Sequence, residues 1–281
     1  MKPLIATPAA ICQIGNRSIN EDRIYPELGQ GRSTDALFIV CDGIGGAQKG
    51  ELASKLACQG FVDFFKEKNI SISTTALLNE AVLLVEKTFE EYIKKDARAK
   101  GMGTTLTLVH FHEQGATLSH CGDSRIYHVR KGEILFQTED HSLVNEMVQH
   151  KILSKEEAVD HPKKNVITRA IQANAKKARL DTHFITDIKA GDYFFMCTDG
   201  ILEQVTSALL AKILNGKISP QDGINVISNY CEGKTRDNYS AYLIQVEEQV
   251  LEKKNLKRTN IALIVLVVLL LSLLATKLWS E

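Results

Sequence analysis

Five aspartates stand where the sequence predicts that an apolar strand ends or the chain turns. A single aspartate followed by glycine is an ordinary turn residue, because its carboxylate bonds nearby backbone and glycine tolerates positive φ. Several of them at strand ends indicate chemistry instead. They are Asp22 in NED, Asp42 in CDGIGG, Asp123 in CGDSR, Asp199 in CTDG and Asp237 in RDN.

If these strand ends converge, their carboxylates cannot all remain ionised without a counter-charge. A hard divalent cation is the natural one, and all-oxygen ligation favours Mg²⁺ or Mn²⁺ over zinc. A carboxylate that bridges two such ions would form a site that activates a water molecule for in-line attack on phosphorus. The residue types therefore suggest metal-assisted phosphate hydrolysis.

The elements that must position these aspartates are short strands and long amphipathic helices. Residues 36–41 and 193–197 are apolar runs that end in aspartate and predict buried strands. Residues 103–112, 115–121, 125–130 and 134–138 predict an antiparallel meander, and 239–246 a last strand. Apolar residues at helical spacing predict a helix over 77–93, and Ser154 with Glu157, and Ser219 before Pro220, predict helix starts. We expect an α+β fold in which helices cover stacked antiparallel sheets.

Composition bounds the remaining possibilities. The chain has 281 residues, enough for one domain with an appendage, and 34 basic residues balance 34 acidic ones. A zero net charge gives no reason to expect a nucleic-acid partner. The six cysteines are scattered and mostly lie in apolar runs, which predicts reduced, buried thiols. The N-terminal stretch is interrupted by Pro3 and Pro8 and is a poor match to a signal peptide.

The C-terminal segment differs sharply in composition. Residues 261–279 are almost entirely apolar, and the eighteen from Ile261 to Leu278 would span about 27 Å as a helix, close to a hydrocarbon core of about 30 Å. Basic residues are concentrated in 249–260, before this segment. The positive-inside rule then predicts a single-pass membrane protein with residues 1–248 as a cytoplasmic catalytic domain, 249–260 as a basic linker and 261–279 as a transmembrane helix.

Eight motifs, in order, resemble the metal-dependent (type 2C, PPM) protein serine/threonine phosphatases of bacterial type. The resemblance covers about residues 9–246 and implies an α-β-β-α sandwich and hydrolysis of phosphoserine and phosphothreonine without a phosphoenzyme. It is carried by GNRSINED, VCDGIGG, GMGTTL, CGDSR, DHSLVNEMV, NVITRAI, CTDGI and TRDNYSA.

The resemblance also implies roles for individual residues. Asp42 would bridge two Mn²⁺ or Mg²⁺ ions, the Gly43 carbonyl would bind one of them, and Asp199 and Asp237 would complete the second ion's site. Asp22 and Glu21 would act through metal-bound waters, Asp123 would hold a third ion, and Arg17 would bind the substrate phosphate.

One position departs from the family pattern. Ile44 stands where eukaryotic members usually carry a histidine proposed to protonate the leaving oxygen. Bacterial members tend to have an apolar residue there, and a metal-bound water is our hypothesis for the proton donor.

Alternatives remain at this stage. His110, His112, His120 and Cys121 could suggest zinc, but without a second cluster they are interpreted as structural, as is His141 in the DHS motif. The basic residues Lys163, Lys164, Lys176, Lys177 and Arg179 are interpreted as a solvated face or as a guide for a phosphoprotein substrate. The main expectation is a phosphatase that opposes a serine/threonine kinase. The alternatives are a phosphoprotein-binding module and a scaffold at the membrane.

Overall fold

The computed structural model describes residues 2–45, 49–159, 161–173 and 178–248. This part of the chain contains twelve strands, seven α-helices and one 3₁₀ helix at Ala97–Ala99. The strands are β1 (Ala9–Gln13), β2 (Asp22–Tyr25), β3 (Leu37–Ile44), β4 (Gly103–Thr104), β5 (Leu106–His112), β6 (Gly115–Cys121), β7 (Arg125–Arg130), β8 (Glu133–Gln137), β9 (Ile171–Gln172), β10 (Asp181–Ile185), β11 (Asp192–Cys197) and β12 (Tyr239–Gln245). The helices are α1 (Gly50–Glu67), α2 (Thr75–Lys95), α3 (Leu143–Gln149), α4 (Lys155–Val159), α5 (Asp199–Leu202), α6 (Ser207–Ile213) and α7 (Pro220–Cys231).

The strands form two antiparallel sheets. One has the order β1-β12-β11-β7-β8, and the other has the order β10-β6-β5-β3-β4-β9, with β2 also paired to β3. Their facing sides share one apolar core, in which the Phe38 and Tyr242 rings lie 5.3 Å apart and the Phe111 and Phe194 rings 5.1 Å apart, both edge to face. Burying each such ring contributes about 1.5–3 kcal/mol.

Helices cover the outer faces of both sheets. α1 and α2 bury one apolar stripe each, including Phe61 and Leu78, against the sheet that contains β3. α5, α6 and α7 cover the sheet that contains β11 with residues such as Ile201, Leu210 and Ile227. The prediction of stacked antiparallel sheets flanked by helices is therefore confirmed.

Local helix signals also hold in the structure. The Ser154 hydroxyl accepts from the Glu157 N–H, and the Glu157 carboxylate accepts from the Ser154 N–H, which is the predicted capping box. The Ser219 hydroxyl accepts from the Asp222 N–H, and Pro220 opens α7.

The predicted meander over 103–138 is wrong at its centre. β5 pairs with β6 and β7 pairs with β8, but β6 and β7 belong to different sheets. The chain crosses between the sheets at Gly122, whose φ of +109° is readily available only to glycine. Asp123 follows Gly122 directly and so lies where the chain passes from one sheet to the other.

Within the described part of the chain, no helix combines the length and apolar character needed to cross a membrane. The predicted transmembrane helix over 261–279 and the predicted linker over 249–260 lie outside the described residues.

Candidate active site

Neighbouring antiparallel strands bring the first two carboxylates together. In the register of β2 and β3, Asp22 lies directly opposite Asp42. The Asp42 N–H donates to the Thr105 hydroxyl at 3.0 Å, and its carbonyl accepts from the Thr105 N–H at 2.8 Å. These bonds fix β3 at the residue where its pairing with β2 stops.

The other sheet supplies the next two carboxylates. Asp199 follows β11 as the first residue of α5, and Asp237 precedes β12, the neighbour of β11. Asp199 lies close enough to Asp42, across the gap between the sheets, for its charge to raise the pKa of Asp42. The Thr198 hydroxyl donates to Asp22 Oδ2 at 3.0 Å, so the two sheets are joined at this point.

The fifth carboxylate comes from the crossing between the sheets. Asp123 is 7% exposed. Its charge raises the pKa of Asp42, and the charge of Asp199 raises the pKa of Asp123. We name Asp22, Asp42, Asp123, Asp199 and Asp237 the acidic cluster. The structure thus brings together all five aspartates singled out from the sequence.

Burial and mutual repulsion raise the pKa values of Asp22, Asp42, Asp123 and Asp199. Burial is the main cause for each of the following groups, and neighbouring carboxylates add to it. The pKa of Asp22 is raised to about 7, that of Asp123 to about 7 and that of Asp199 to about 6. The pKa of Asp42 is raised well above its usual range. Ionised together at neutral pH, these groups require a compensating positive charge.

Two observations show that this site fits a bound cation. Buried carboxylate oxygens of Asp22, Asp123 and Asp199 have no hydrogen-bond partner among the described residues, although buried polar atoms normally have one. At Gly43 an added Cβ would lie 2.1 Å from the Gly50 carbonyl oxygen, so only glycine keeps the backbone this close. The donor set is entirely oxygen, as Mg²⁺ and Mn²⁺ prefer.

Arg17 and Glu21 lie at the rim of the acidic cluster. Arg17 is exposed and donates to Asp237 Oδ2 at 2.6 Å, which raises the pKa of its guanidinium. Glu21 is half-buried, and burial raises the pKa of its carboxyl. The Gly43 N–H donates to the Glu21 carbonyl at 3.1 Å, which ties the loop before β2 to the end of β3.

Three polar residues that sequence reasoning did not single out hold the site in place. Asn238 accepts from the Glu21 N–H and donates to the carbonyls of Ile14 and Ile19 at 2.7 and 2.9 Å, and so fixes the loop that carries Arg17. Thr198 and Thr105 bond Asp22 and Asp42 as described. Each lies within one of the eight motifs, and this position is the sequence signal that could have identified it.

The histidines considered for zinc are occupied by other contacts. His110 bonds the Ser73 hydroxyl at 3.0 Å, and His112 bonds the Thr117 hydroxyl at 3.0 Å. His120, on the neighbouring strand β6, instead bonds the Glu139 carbonyl at 2.8 Å. All six cysteines are free thiols, five of them buried and Cys12 half-buried, as predicted.

Comparison with known proteins identifies the family. A family model described as protein phosphatase 2C matches residues 13–218. The serine/threonine phosphatase stp of Listeria innocua is 33% identical over 197 residues, which cover 67% of this chain and 75% of that protein.

Solved structures agree with this match. The serine/threonine phosphatase PstP/Ppp of Mycobacterium tuberculosis has a TM-score of 0.75 at 27% identity, covering 87% of this chain and 100% of that chain. The catalytic domain of the phosphatase PstP, solved in complex with 2 manganese ions, has a TM-score of 0.72 at 27% identity with the same coverage. The chain therefore belongs to the protein phosphatase 2C (PPM) family and is a protein serine/threonine phosphatase of the bacterial type.

Proposed function

We propose that the chain removes phosphate from phosphoserine and phosphothreonine of proteins by a two-metal mechanism, and that it opposes a serine/threonine kinase. One observation carries the proposal: buried carboxylates from both sheets converge, and three of them have oxygens without hydrogen-bond partners among the described residues. Manganese in a related phosphatase of the same fold supports the choice of metal.

The residues that would hold the ions follow from this arrangement. Asp42 would bridge two Mn²⁺ or Mg²⁺ ions, with the Gly43 carbonyl on one and Asp199 and Asp237 on the other. Asp22 and Glu21 would contribute through water, and Asp123 would hold a third ion. When bound, the ions would supply the activated hydroxide and neutralise charge on the phosphate.

The chain's own side chains prepare the site for this chemistry. Thr198 and Thr105 hold the carboxylates of Asp22 and the backbone of Asp42 in fixed positions. Arg17 presents a guanidinium, permanently charged at neutral pH, that can grip two phosphate oxygens at once. The aliphatic side chain of Ile44 has no acidic proton, so it cannot protonate the leaving oxygen.

The test is release of phosphate from a phosphothreonine peptide by the full-length chain in detergent, with Mn²⁺, with Mg²⁺ and with EDTA. Asp42→Asn and Asp199→Asn should each lower the rate by more than about 100-fold, since loss of even an outer-shell partner typically costs 10–100-fold. Asp63→Asn is the matched control, because Asp63 is exposed on α1 and bonds only the Gln59 side chain among the described residues.

Two results would contradict the proposal. Equal rates with Mn²⁺ and with EDTA would exclude metal-assisted hydrolysis. A folded protein that binds Mn²⁺ and phosphopeptide but releases no phosphate would favour the phosphoprotein-binding module instead. Opposition to a kinase predicts that deleting the gene raises phosphothreonine on the kinase's substrates, and unchanged levels would contradict it.

We further propose that residues 261–279 anchor the protein in the membrane, with the catalytic domain in the cytoplasm and 249–260 as the linker. The aliphatic composition and the preceding basic residues support this proposal. Deletion of residues 261–281 should move the protein from the membrane to the soluble fraction of lysed cells, while phosphatase activity is retained. Loss of biological function despite retained activity would favour a scaffolding role for this segment.

A further inference from the structure

His141 forms hydrogen bonds with both the backbone N–H and the backbone carbonyl of Gly122. The Gly122 N–H donates to His141 Nδ1 at 3.0 Å, and the His141 N–H donates to the Gly122 carbonyl at 2.9 Å. Because Nδ1 accepts, the proton of the neutral ring lies on Nε2, which donates to Asp181 Oδ2 at 3.0 Å. Burial lowers the pKa of His141, consistent with a neutral ring.

Gly122 directly precedes Asp123 and has little freedom of its own. A Cβ on Gly122 would lie 2.6 Å from Cγ2 of Thr105, the residue that also bonds Asp42. The backbone of Gly122 is thus enclosed by Thr105 on one side and His141 on the other. The next residue, Asp123, has one buried carboxylate oxygen without a hydrogen-bond partner among the described residues.

Contacts of His141 and of its neighbour Asp140 hold both ends of the segment that carries α3 and α4. Asp140 forms two hydrogen bonds of 2.7 Å with the Arg125 guanidinium, next to the acidic cluster. At the far end, the Thr168 N–H donates to the His141 carbonyl at 2.8 Å, and Arg169 donates to Asp181 Oδ1 at 2.6 Å. Asp181 therefore bridges His141 and Arg169.

His120, His141 and Asp181 also lie close enough to suggest a metal site, since their ligand atoms fall within 4.8 Å of one another. The two imidazole rings, however, are stacked at 4.5 Å with only 16° between their planes. An imidazole lone pair lies in the plane of its ring, so two nearly parallel, stacked rings cannot both aim at one ion. His141 Nδ1 and Asp181 are, in addition, already engaged by Gly122 and Arg169.

We propose that His141 is a positioning residue that fixes the Asp123 carboxylate by clamping the Gly122 backbone and ties it to the segment from Asp140 to Arg169. The inference rests on the proposed function, because only there is Asp123 assigned an ion. Its consequence is that the clamp on Gly122, rather than the link to Asp181, sets the affinity of the third cation site, at Asp123.

Two substitutions separate the clamp on Gly122 from the link to Asp181. In His141→Asn, the amide oxygen occupies the position of Nδ1 and can still accept from Gly122, but the bond to Asp181 is lost. In His141→Gln, the amide nitrogen can reach Asp181 as Nε2 does, but no acceptor faces Gly122. His112→Gln is the control, since His112 is also buried and its ring bonds Thr117 and the Gln114 N–H, away from the acidic cluster.

The experiment titrates the full-length chain with Mn²⁺ and follows free Mn²⁺ by electron paramagnetic resonance. His141→Gln should weaken the binding of one Mn²⁺ ion, the ion assigned to Asp123, by about 10–100-fold, the usual effect of losing an outer-shell partner. His141→Asn and His112→Gln should bind like the wild type. Equal binding by all variants, or equal losses in the Asn and Gln variants, would overturn the proposal.

A second readout keeps this test apart from the proposed function. Amide hydrogen exchange of Gly122 is measured in the metal-free protein, where protection should be lost in His141→Gln and retained in His141→Asn. Unchanged protection in His141→Gln would refute the clamp even if phosphatase activity were normal. If the wild type neither bound Mn²⁺ nor released phosphate, the proposed function would fail while exchange still decided whether the clamp exists.

Discussion

Asp22→Asn should stabilise the metal-free protein, and more so as the pH rises. Asp22 is 2% exposed, and burial, with the charges of Asp199 and Asp237, raises its pKa from 3.8 to about 7. Asparagine keeps an oxygen that can accept from the Thr198 hydroxyl but cannot ionise. The substitution therefore removes the charge while preserving the size of the side chain.

The magnitude follows from the pKa. The folded state binds this proton more tightly than the unfolded state, so the contribution to stability is complete below pH 3.8 and is lost as the pH rises through about 7. At about 1.4 kcal/mol per pKa unit, the loss amounts to about 4 kcal/mol at pH 8, of which roughly 2 kcal/mol has occurred by pH 5. The stability difference between Asp22→Asn and the wild type should thus grow by about 2–3 kcal/mol between these pH values.

The assay is urea unfolding of both proteins in EDTA at pH 5 and pH 8, with Asp63→Asn as the control for a surface aspartate. In saturating Mn²⁺ at pH 8 the difference in unfolding free energy between the two proteins should narrow or change sign. Bound ion stabilises the folded wild type by mass action, and it stabilises the variant less. A difference in unfolding free energy that is the same at both pH values would refute the idea that Asp22 titrates as a buried group.

Three further predictions concern other parts of the molecule. Arg17→Lys should raise KM for a phosphopeptide roughly tenfold with a smaller effect on kcat, because a point charge replaces a planar fork; steady-state kinetics with equal effects on both would contradict phosphate binding by Arg17. Gly43→Ala should lower the free energy of unfolding by about 1–3 kcal/mol and abolish metal-dependent activity, because the added Cβ would lie 2.1 Å from the Gly50 carbonyl oxygen. Thermal unfolding and phosphate release test this, and wild-type values of both would show that the backbone can move to accept the Cβ. Asp192→Asn should cost about 3–5 kcal/mol in urea unfolding at pH 7, because it leaves the half-buried Arg130 charge without its buried partner. Although burial opposes it, hydrogen bonds from Arg130 and His128 lower the pKa of Asp192 to about 2, so this difference should shrink as the pH falls from 3.8 toward 2, and a difference independent of pH in that range would argue against the charge.

Local signals predicted most of the elements. The apolar runs before Asp42 and Asp199 are buried strands, and the capping box at Ser154 and the start of α7 at Pro220 lie where the sequence indicates. Such signals are readable because a strand end or a helix cap depends on residues only a few positions apart. The short strands β4 and β9 carry too few residues for a pattern and form because their neighbours in the sheet supply the pairing partners.

The sequence by itself determined the chemistry: five aspartates beside glycines and small residues, in the order of a known family, specify an oxygen-lined cation site. Only the tertiary structure decided how the carboxylates meet, since Asp22 and Asp42 become opposite through strand register, and Asp199 reaches Asp42 from the other sheet. It also decided that the chain changes sheets at Gly122 and that His141 encloses this crossing. These contacts join residues far apart in the chain, and their geometry depends on how two sheets pack, which no local pattern encodes.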